Sequence, residues 1–117
     1  MNIEGLRTYC LNKKGVAESL PFSETALVFK VQNKMFALTD LDKFEFVNLK
    51  CDPERAIELR EEFNGVKPGY HMNKKHWNSV YINTDIEDSL LLQMVDSSYD
   101  LAVKSLTKKL REELQDR

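Results

Sequence analysis

The sequence has few of the features that mark secreted, membrane-bound or disulfide-stabilised proteins. No apolar run approaches the roughly 20 residues of a membrane-spanning helix, and the first residues lack the basic start and apolar stretch of a secretory signal. The only two cysteines, Cys10 and Cys51, lie far apart and form no CxxC pair, so a disulfide framework and a structural zinc site have no support. We therefore expect a soluble, cytoplasmic protein with reduced cysteines and no membrane partner.

Catalytic signatures are scarce as well. The four glycines form no phosphate-binding loop, and no serine or cysteine stands in a nucleophile elbow. The two histidines, His71 and His76, are separated by a predicted turn and have no third metal ligand nearby. We therefore predict no enzymatic activity, no catalytic residue, no metal and no cofactor.

The overall charge is nearly balanced, with 17 basic and 19 acidic residues and a formal net charge of −2. A chain with a pI of about 5.7 lacks the broadly basic surface that drives sequence-independent nucleic-acid binding. Its 117 residues are enough for one domain. Any contact with nucleic acid must therefore come from a local basic patch.

The segment from Lys67 to Ile82 is the best candidate for such a patch. It holds the only tryptophan, both histidines and three lysines, and it contains no acidic residue. Lysines provide phosphate contacts, and asparagine side chains donate hydrogen bonds. The predicted nucleic-acid-binding residues in this segment are Lys67, Asn73, Lys74, Lys75 and His76. The alternative is a solvated turn that Asn73 stabilises, with Trp77 in the core.

A predicted hairpin adds two further lysines. Leu27–Val31 and Lys34–Thr39 are rich in β-branched and aromatic residues, and Gln32–Asn33 between them suits a tight turn. Lys30 and Lys34 on this hairpin are predicted to extend the basic patch as a second wing. The alternative is that these lysines only protect an edge strand from aggregation.

The remaining pattern predicts an α+β domain with the order α-β-β-β-α-β-α-α, in which helices pack on one face of an antiparallel sheet. The predicted elements are a helix over 2–14 with Asn2 as N-cap and Gly15 as terminator, a third strand over 44–49, a helix from Asp52–Pro53 to Asn64–Gly65, and a strand over 77–82.

Two helices are predicted after the last strand. Asp85 or Asp88 caps the first, which runs through Val95, and Ser97 or Ser98 caps the second. The second carries an apolar stripe at helical spacing: Tyr99, Val103, Leu106, Leu110 and Leu114. This stripe covers either the protein's own sheet or the groove of a partner.

Two segments, Val28–Leu38 and Pro68–Val80, together with Ser98–Tyr99 and Leu106, resemble the MmcQ/YjbR family. The resemblance spans nearly the whole chain and identifies residues 1–117 as one domain of that type. It implies a small bacterial domain with a two-layer fold, similar to frataxin-like and secretion-chaperone-like folds. It also implies DNA binding by a double-wing arrangement, without catalytic residues to carry over. The turn at Gln32–Asn33 departs from the family, in which glycine is usual.

Two functions follow as expectations. The first is weak binding of double-stranded DNA through the phosphate backbone. The second, which the acidic pI favours, is a protein-interaction module or homodimer that uses the sheet face or the last helix. Lysines on one continuous face favour the first function, whereas scattered lysines with exposed Leu110 and Leu114 favour the second.

Overall fold

The computed structural model describes residues 1–117, which form six strands and four helices in one α+β domain. The antiparallel sheet has the order β1-β2-β3-β4-β6-β5. The strands are β1 (Val16–Ser19), β2 (Ala26–Val31), β3 (Lys34–Asp40), β4 (Phe46–Lys50), β5 (Val66–Pro68) and β6 (Trp77–Tyr81). The helices are α1 (Ile3–Leu11), α2 (Pro53–Glu62), α3 (Asp88–Lys104) and α4 (Lys108–Gln115).

The four helices cover one face of the sheet, and the main hydrophobic core lies between the two layers. α3 lies across the central strands β2, β3 and β4, whereas α2 contacts β5 and β6 and α1 contacts β1. Phe36 on β3 packs edge-on against Tyr99 on α3, with ring centroids 5.4 Å apart. No helix is long and apolar enough to cross a membrane. The opposite face of the sheet, which carries no helix, is called the open face below.

The local signals for helix starts and for the hairpin are confirmed. Asn2 accepts a hydrogen bond from Gly5 N at 2.8 Å, and Asp52 accepts one from Arg55 N ahead of the proline that begins α2. Gln32 and Asn33 both have positive φ, 46° and 67°, which is the backbone of a two-residue turn whose twist matches the flanking strands.

Two strands were missed, because both are short and lie at sheet edges. β1 pairs with β2, which turns the predicted three-stranded meander into a four-stranded one. β5 pairs with β6 where only a turn was expected. The predicted start of the third strand was also wrong, since Phe44 has a φ of 42° and lies before β4, in the core. Such brief segments bury too little to leave a periodic signal.

The predicted helix break at Ser97 or Ser98 was wrong, because α3 runs unbroken through both residues. Ser98 is fully buried, and its hydroxyl donates to Phe36 O at 2.5 Å and accepts from Lys50 N at 2.8 Å. It thus bridges β3 and β4 directly after their last ladder pair, Ala37 with Leu49. The serine that resembled a cap is a tertiary hydrogen-bonding residue.

The actual break comes after Lys104, and Thr107 caps α4 by accepting from Leu110 N at 3.3 Å. Leu114 on α4 is buried beside Gly15, whose φ of +74° and close approach leave no room for a side chain. The carboxylate of Asp85 does not cap α3 and instead accepts from Asn64 N and Gly65 N, at 2.7 Å each. Asp88 binds the N-terminal ammonium group.

Candidate nucleic-acid interface

Two connections between antiparallel strands lie at the same end of the sheet. One is the turn Gln32–Asn33 between β2 and β3, and the other is loop 69–76 between β5 and β6. β4 runs between the two hairpins and ends at this same end with Lys50. Because neighbouring strands lie about 4.8 Å apart, β3 and β6, which flank β4, are about 10 Å apart. We call this the basic end.

The structure brings six of the seven predicted residues to the basic end. Lys34 begins β3 and is exposed, and Lys30 lies one residue before the end of β2 and is half-buried. Neither ammonium group makes a hydrogen bond or ion pair within the chain. The other four belong to the loop and are exposed: Asn73, Lys74, Lys75 and His76.

The seventh residue, Lys67, lies apart on edge strand β5, opposite Ser79. The positive charge of Lys67 acts on the carboxylate of Asp85. Partial loss of solvent raises the pKa of Asp85, but hydrogen bonds from the backbone of Asn64 and Gly65 and the charge of Lys67 outweigh that effect and lower it. An acidic neighbour therefore offsets part of the Lys67 charge.

Loop 69–76 is anchored to the open face by a polar network. Tyr70 N donates to Ser79 Oγ at 2.8 Å, and Asn48 Nδ2 donates to Tyr70 O at 3.1 Å. The Ser79 hydroxyl donates in turn to Asn48 Oδ1. Asn48 and Ser79 are buried, so these bonds have little competition from water. The loop that carries the lysines therefore has a fixed base.

Hydrogen bonds within the loop separate structural residues from free ones. Asn73 Oδ1 accepts from Lys75 N at 2.9 Å, and Lys74 Nζ donates to Gly69 O at 3.2 Å. Asn73 therefore shapes the turn, as the alternative interpretation held, and Lys74 is partly engaged inside the loop. The side chains of Lys75 and His76 have no hydrogen-bond partner in the chain and project from the loop unconstrained.

Lys50 is a basic residue of this end that sequence reasoning missed. It pairs with Trp77 across β4 and β6, and its Nζ lies 6.0 Å from the centre of the indole ring. Trp77 is only 8% exposed, so it is a wall of the site and not a free stacking platform. Only the strand register places Lys50 here, and the sequence carries no local signal of that register.

The opposite end of the sheet is acidic. It comprises the start of β2, the β3–β4 connection and the segment between β6 and α3, where Lys43 stands almost alone among carboxylates. The acidic residues there are Glu24, Asp40, Asp42, Glu45, Asp85, Glu87 and Asp88. The basic end is not free of acidic residues: Asp52 caps α2, Glu18 lies near Lys30, and Asp116 follows α4, which ends beside Gly15. The loops that join the strands therefore carry more carboxylates at one end of the sheet and more lysines at the other, although the net charge is near zero.

The open face also carries a groove of about 490 Å³ beside loop 69–76. Phe22 and Tyr70, which line it, are 68% and 56% exposed and are the most exposed large hydrophobic side chains of the chain. The ring of Tyr70 packs edge-on against Phe46 at 5.8 Å and lies 4.0 Å from that of His71. Exposed aromatic rings around a concavity are typical of binding sites.

The histidines have no metal-binding arrangement. His71 lies against the Tyr70 ring with a φ of 58°, and the backbone of His76 pairs with Cys51 N at 2.8 Å. No group of three or more histidine, cysteine or acidic side chains in the chain is placed so that it could hold a metal ion.

Comparison with known proteins finds one family whose members match most of this chain. A family model described as YjbR matches residues 11–101. The chain is 36% identical over 112 residues to protein YjbR of Escherichia coli strain K12, covering 95% of each. It is 41% identical over 90 residues to protein YbdF of Escherichia coli O157:H7, covering 76% of this chain and 74% of that protein.

Solved structures of other bacterial proteins share this fold. The chain superimposes on protein DR2400 of Deinococcus radiodurans, assigned to domain family DUF419, with a TM-score of 0.91 and 38% identity, covering 97% of this chain and 88% of that one. A Pseudomonas syringae protein superimposes with a TM-score of 0.73 and 26% identity, covering 87% of this chain and 99% of that one.

Proposed function

Because this chain belongs to the YjbR family, and because two of its hairpins present lysines at one end of the sheet, we propose that it binds DNA weakly through the phosphate backbone. The observation that carries this proposal is the convergence of the turn Gln32–Asn33 and loop 69–76 at the basic end. The two hairpins would act as the two wings that the family resemblance implies.

The separation of charge supports the same function. A protein with one basic and one acidic end has a dipole, which orients it as it approaches a polyanion and raises the rate of productive encounter. The acidic end would face away from the DNA. A net charge of −2 is therefore compatible with binding, provided that the contact is confined to the basic end.

The expected affinity is low and sensitive to salt. Lys34 and Lys75 are exposed and unpaired, and Lys30, near the end of β2, is half-buried. Three phosphate contacts give a slope of log K against log salt of about −2.7, which is roughly a 40-fold loss between about 50 and about 200 mM salt. No side chain reads a base edge in this arrangement, so little preference for sequence is expected from the lysines alone.

The rival function, a protein-interaction module or homodimer, stays a prediction. Its proposed surface on the last helix has limited area, because Leu114 is buried and Leu110 packs partly buried against the core. The stripe on α3 and α4 covers this protein's own sheet. A partner would therefore have to use another surface.

The test compares variants at the two ends of the molecule. We expect Lys34→Ala with Lys75→Ala to weaken binding of a labelled DNA by roughly 10-fold or more at low salt and to reduce the salt slope by about 2. Lys43→Ala, an exposed lysine at the acidic end, is the matched control and should change little. Lys75 is preferred to Lys74 because the Lys74 ammonium supports the loop.

Fluorescence anisotropy at several salt concentrations measures both quantities, and thermal unfolding checks that each variant is folded. Equal affinities for the wild type, the double variant and Lys43→Ala would refute the assignment to the basic end. No binding by the wild type at low salt would refute DNA binding itself.

A further inference from the structure

The groove on the open face is not explained by phosphate binding. Its wall includes Phe22 and Tyr70, and apolar side chains of β3 and the loop form much of the rest: Met35, Leu38 and Met72. A cavity of about 490 Å³ is large enough for a heterocycle together with part of a sugar. The rings stay exposed to water unless something covers them.

The Tyr70 side of the groove is preorganised. Both backbone hydrogen-bonding groups of Tyr70 are held by the buried side chains Ser79 and Asn48. The Tyr70 ring also packs against Phe46, which packs against Tyr81 with ring centroids 5.0 Å apart. A rigid ring loses little conformational entropy when a second ring stacks on it. This arrangement favours a flat, aromatic occupant.

The groove is continuous with both charged ends. It follows β3 from Met35, whose cross-strand partner on the same face is Lys30, to Asp40 at the acidic end. Asp40 stays an acceptor, because hydrogen bonds from Lys43 N and then Asp42 N outweigh its partial desolvation and lower the pKa of its carboxyl. A base with an exocyclic amino group offers a donor for such a carboxylate. Anion-binding lysines thus lie at one end of the groove and a hydrogen-bond acceptor at the other.

From these contacts we infer that the groove takes an unpaired base of a single-stranded nucleic acid, whose neighbouring phosphates lie on the basic end. This inference rests on the proposed function, since the lysines hold the backbone in both. In a duplex the base faces are stacked and hidden, whereas in a single strand they are free to stack on aromatic side chains. The lysines next to the groove favour this occupant over an apolar segment of a protein.

The experiment measures anisotropy of a labelled single strand of mixed sequence and of a duplex of the same length. The full chain is compared with Phe22→Ala, Tyr70→Ala and Ile57→Ala. Ile57 is a matched control, since it is 53% exposed on α2, on the other face of the sheet. We expect tighter binding of the single strand, and a loss of roughly 5- to 150-fold for each aromatic variant, the range found when one base–aromatic stack is removed. Duplex affinity and the Ile57 variant should change by less than about 2-fold.

Each other outcome has a distinct meaning. Unchanged single-strand binding by folded Phe22→Ala and Tyr70→Ala, with binding still lost in Lys34→Ala/Lys75→Ala, overturns the groove and leaves the proposed function standing. Failure of the wild type to bind either nucleic acid overturns the proposed function and the inference together. Conversion from dimer to monomer by Phe22→Ala, seen by size-exclusion chromatography with light scattering, assigns the groove to a second copy of the chain and overturns the inference.

Discussion

The hydroxyl of Ser98 provides a sharp test of how the helical layer is joined to the sheet. Ser98 is fully buried in the middle of α3, and it links Phe36 O on β3 with Lys50 N on β4. The ladder between these strands is last paired at Ala37 with Leu49, so the hydroxyl takes the place of the next backbone pairing. Ser98→Ala removes one oxygen and leaves two backbone groups without this partner.

The magnitude follows from those two groups. A buried polar group left without a partner costs about 1–3 kcal/mol, and the higher helix propensity of alanine returns about 0.5 kcal/mol. The free energy of unfolding should therefore fall by about 2–5 kcal/mol. The space left by one oxygen atom is smaller than the roughly 30 Å³ that a water molecule occupies, so water should not restore the bridge.

Urea unfolding followed by the fluorescence of the single, buried Trp77 is a suitable assay. With a slope of about 1–3 kcal/mol/M, the midpoint should fall by roughly 1–5 M at unchanged slope. Ser97→Ala, the exposed neighbour on the same helix, is the control and should shift the midpoint little. A loss below about 1 kcal/mol for Ser98→Ala would refute the reasoning, because the two backbone groups would then have found other partners.

Three further predictions concern other parts of the chain. The pKa of Asp96 is lowered, because hydrogen bonds from Lys13 and Tyr9 outweigh the opposite effect of partial desolvation. The Asp96 carboxylate therefore stabilises the fold above about pH 4 and loses this effect in more acidic solution. Asp96→Asn should lower the urea midpoint at pH 7, and its difference from wild type should shrink below about pH 3; a constant difference would contradict the linkage. Burial raises the pKa of Cys10 to about 12. A thiol reagent at pH 8 should therefore label half-buried Cys51 first and reach Cys10 only on unfolding, which peptide mapping by mass spectrometry would show. Early labelling of Cys10 would mean that α1 opens readily. Gly15→Ala should destabilise the protein by about 1 kcal/mol or more, since its φ is +74° and an added Cβ would lie 2.4 Å from Leu114 Cδ1; unchanged thermal unfolding would show that α4 docks loosely.

The parts of the fold that sequence predicted are those that local interactions decide. The caps at Asn2 and Asp52 and the turn at Gln32–Asn33 depend on residues within four positions of one another, and all three are present. The family resemblance and the α+β class are likewise shown by the comparisons and the sheet.

The parts that sequence did not predict depend on tertiary partners. Ser98 was assigned a cap because serine favours helix starts, yet its hydroxyl bonds to strands 48 and 62 residues away in sequence. Edge strand β5 has three residues and is recognised only by its pairing with β6. Pairing register also placed Lys50 beside Trp77, and separated Lys67 from the other predicted lysines.

The contacts between the two ends of the chain constrain the order in which the protein can fold. Tyr9 on α1 and Lys13, two residues after this helix, bind Asp96 on α3, and these pairs are 87 and 83 residues apart in sequence. At a synthesis rate of about 5–20 residues per second, α1 waits roughly 4–17 s on the ribosome before that aspartate exists. The meander from β1 to β4 involves only local pairings and can form during this interval. The first helix can therefore dock on β1 while the chain is being made, but its contacts with α3 are completed only after α3 has been synthesised.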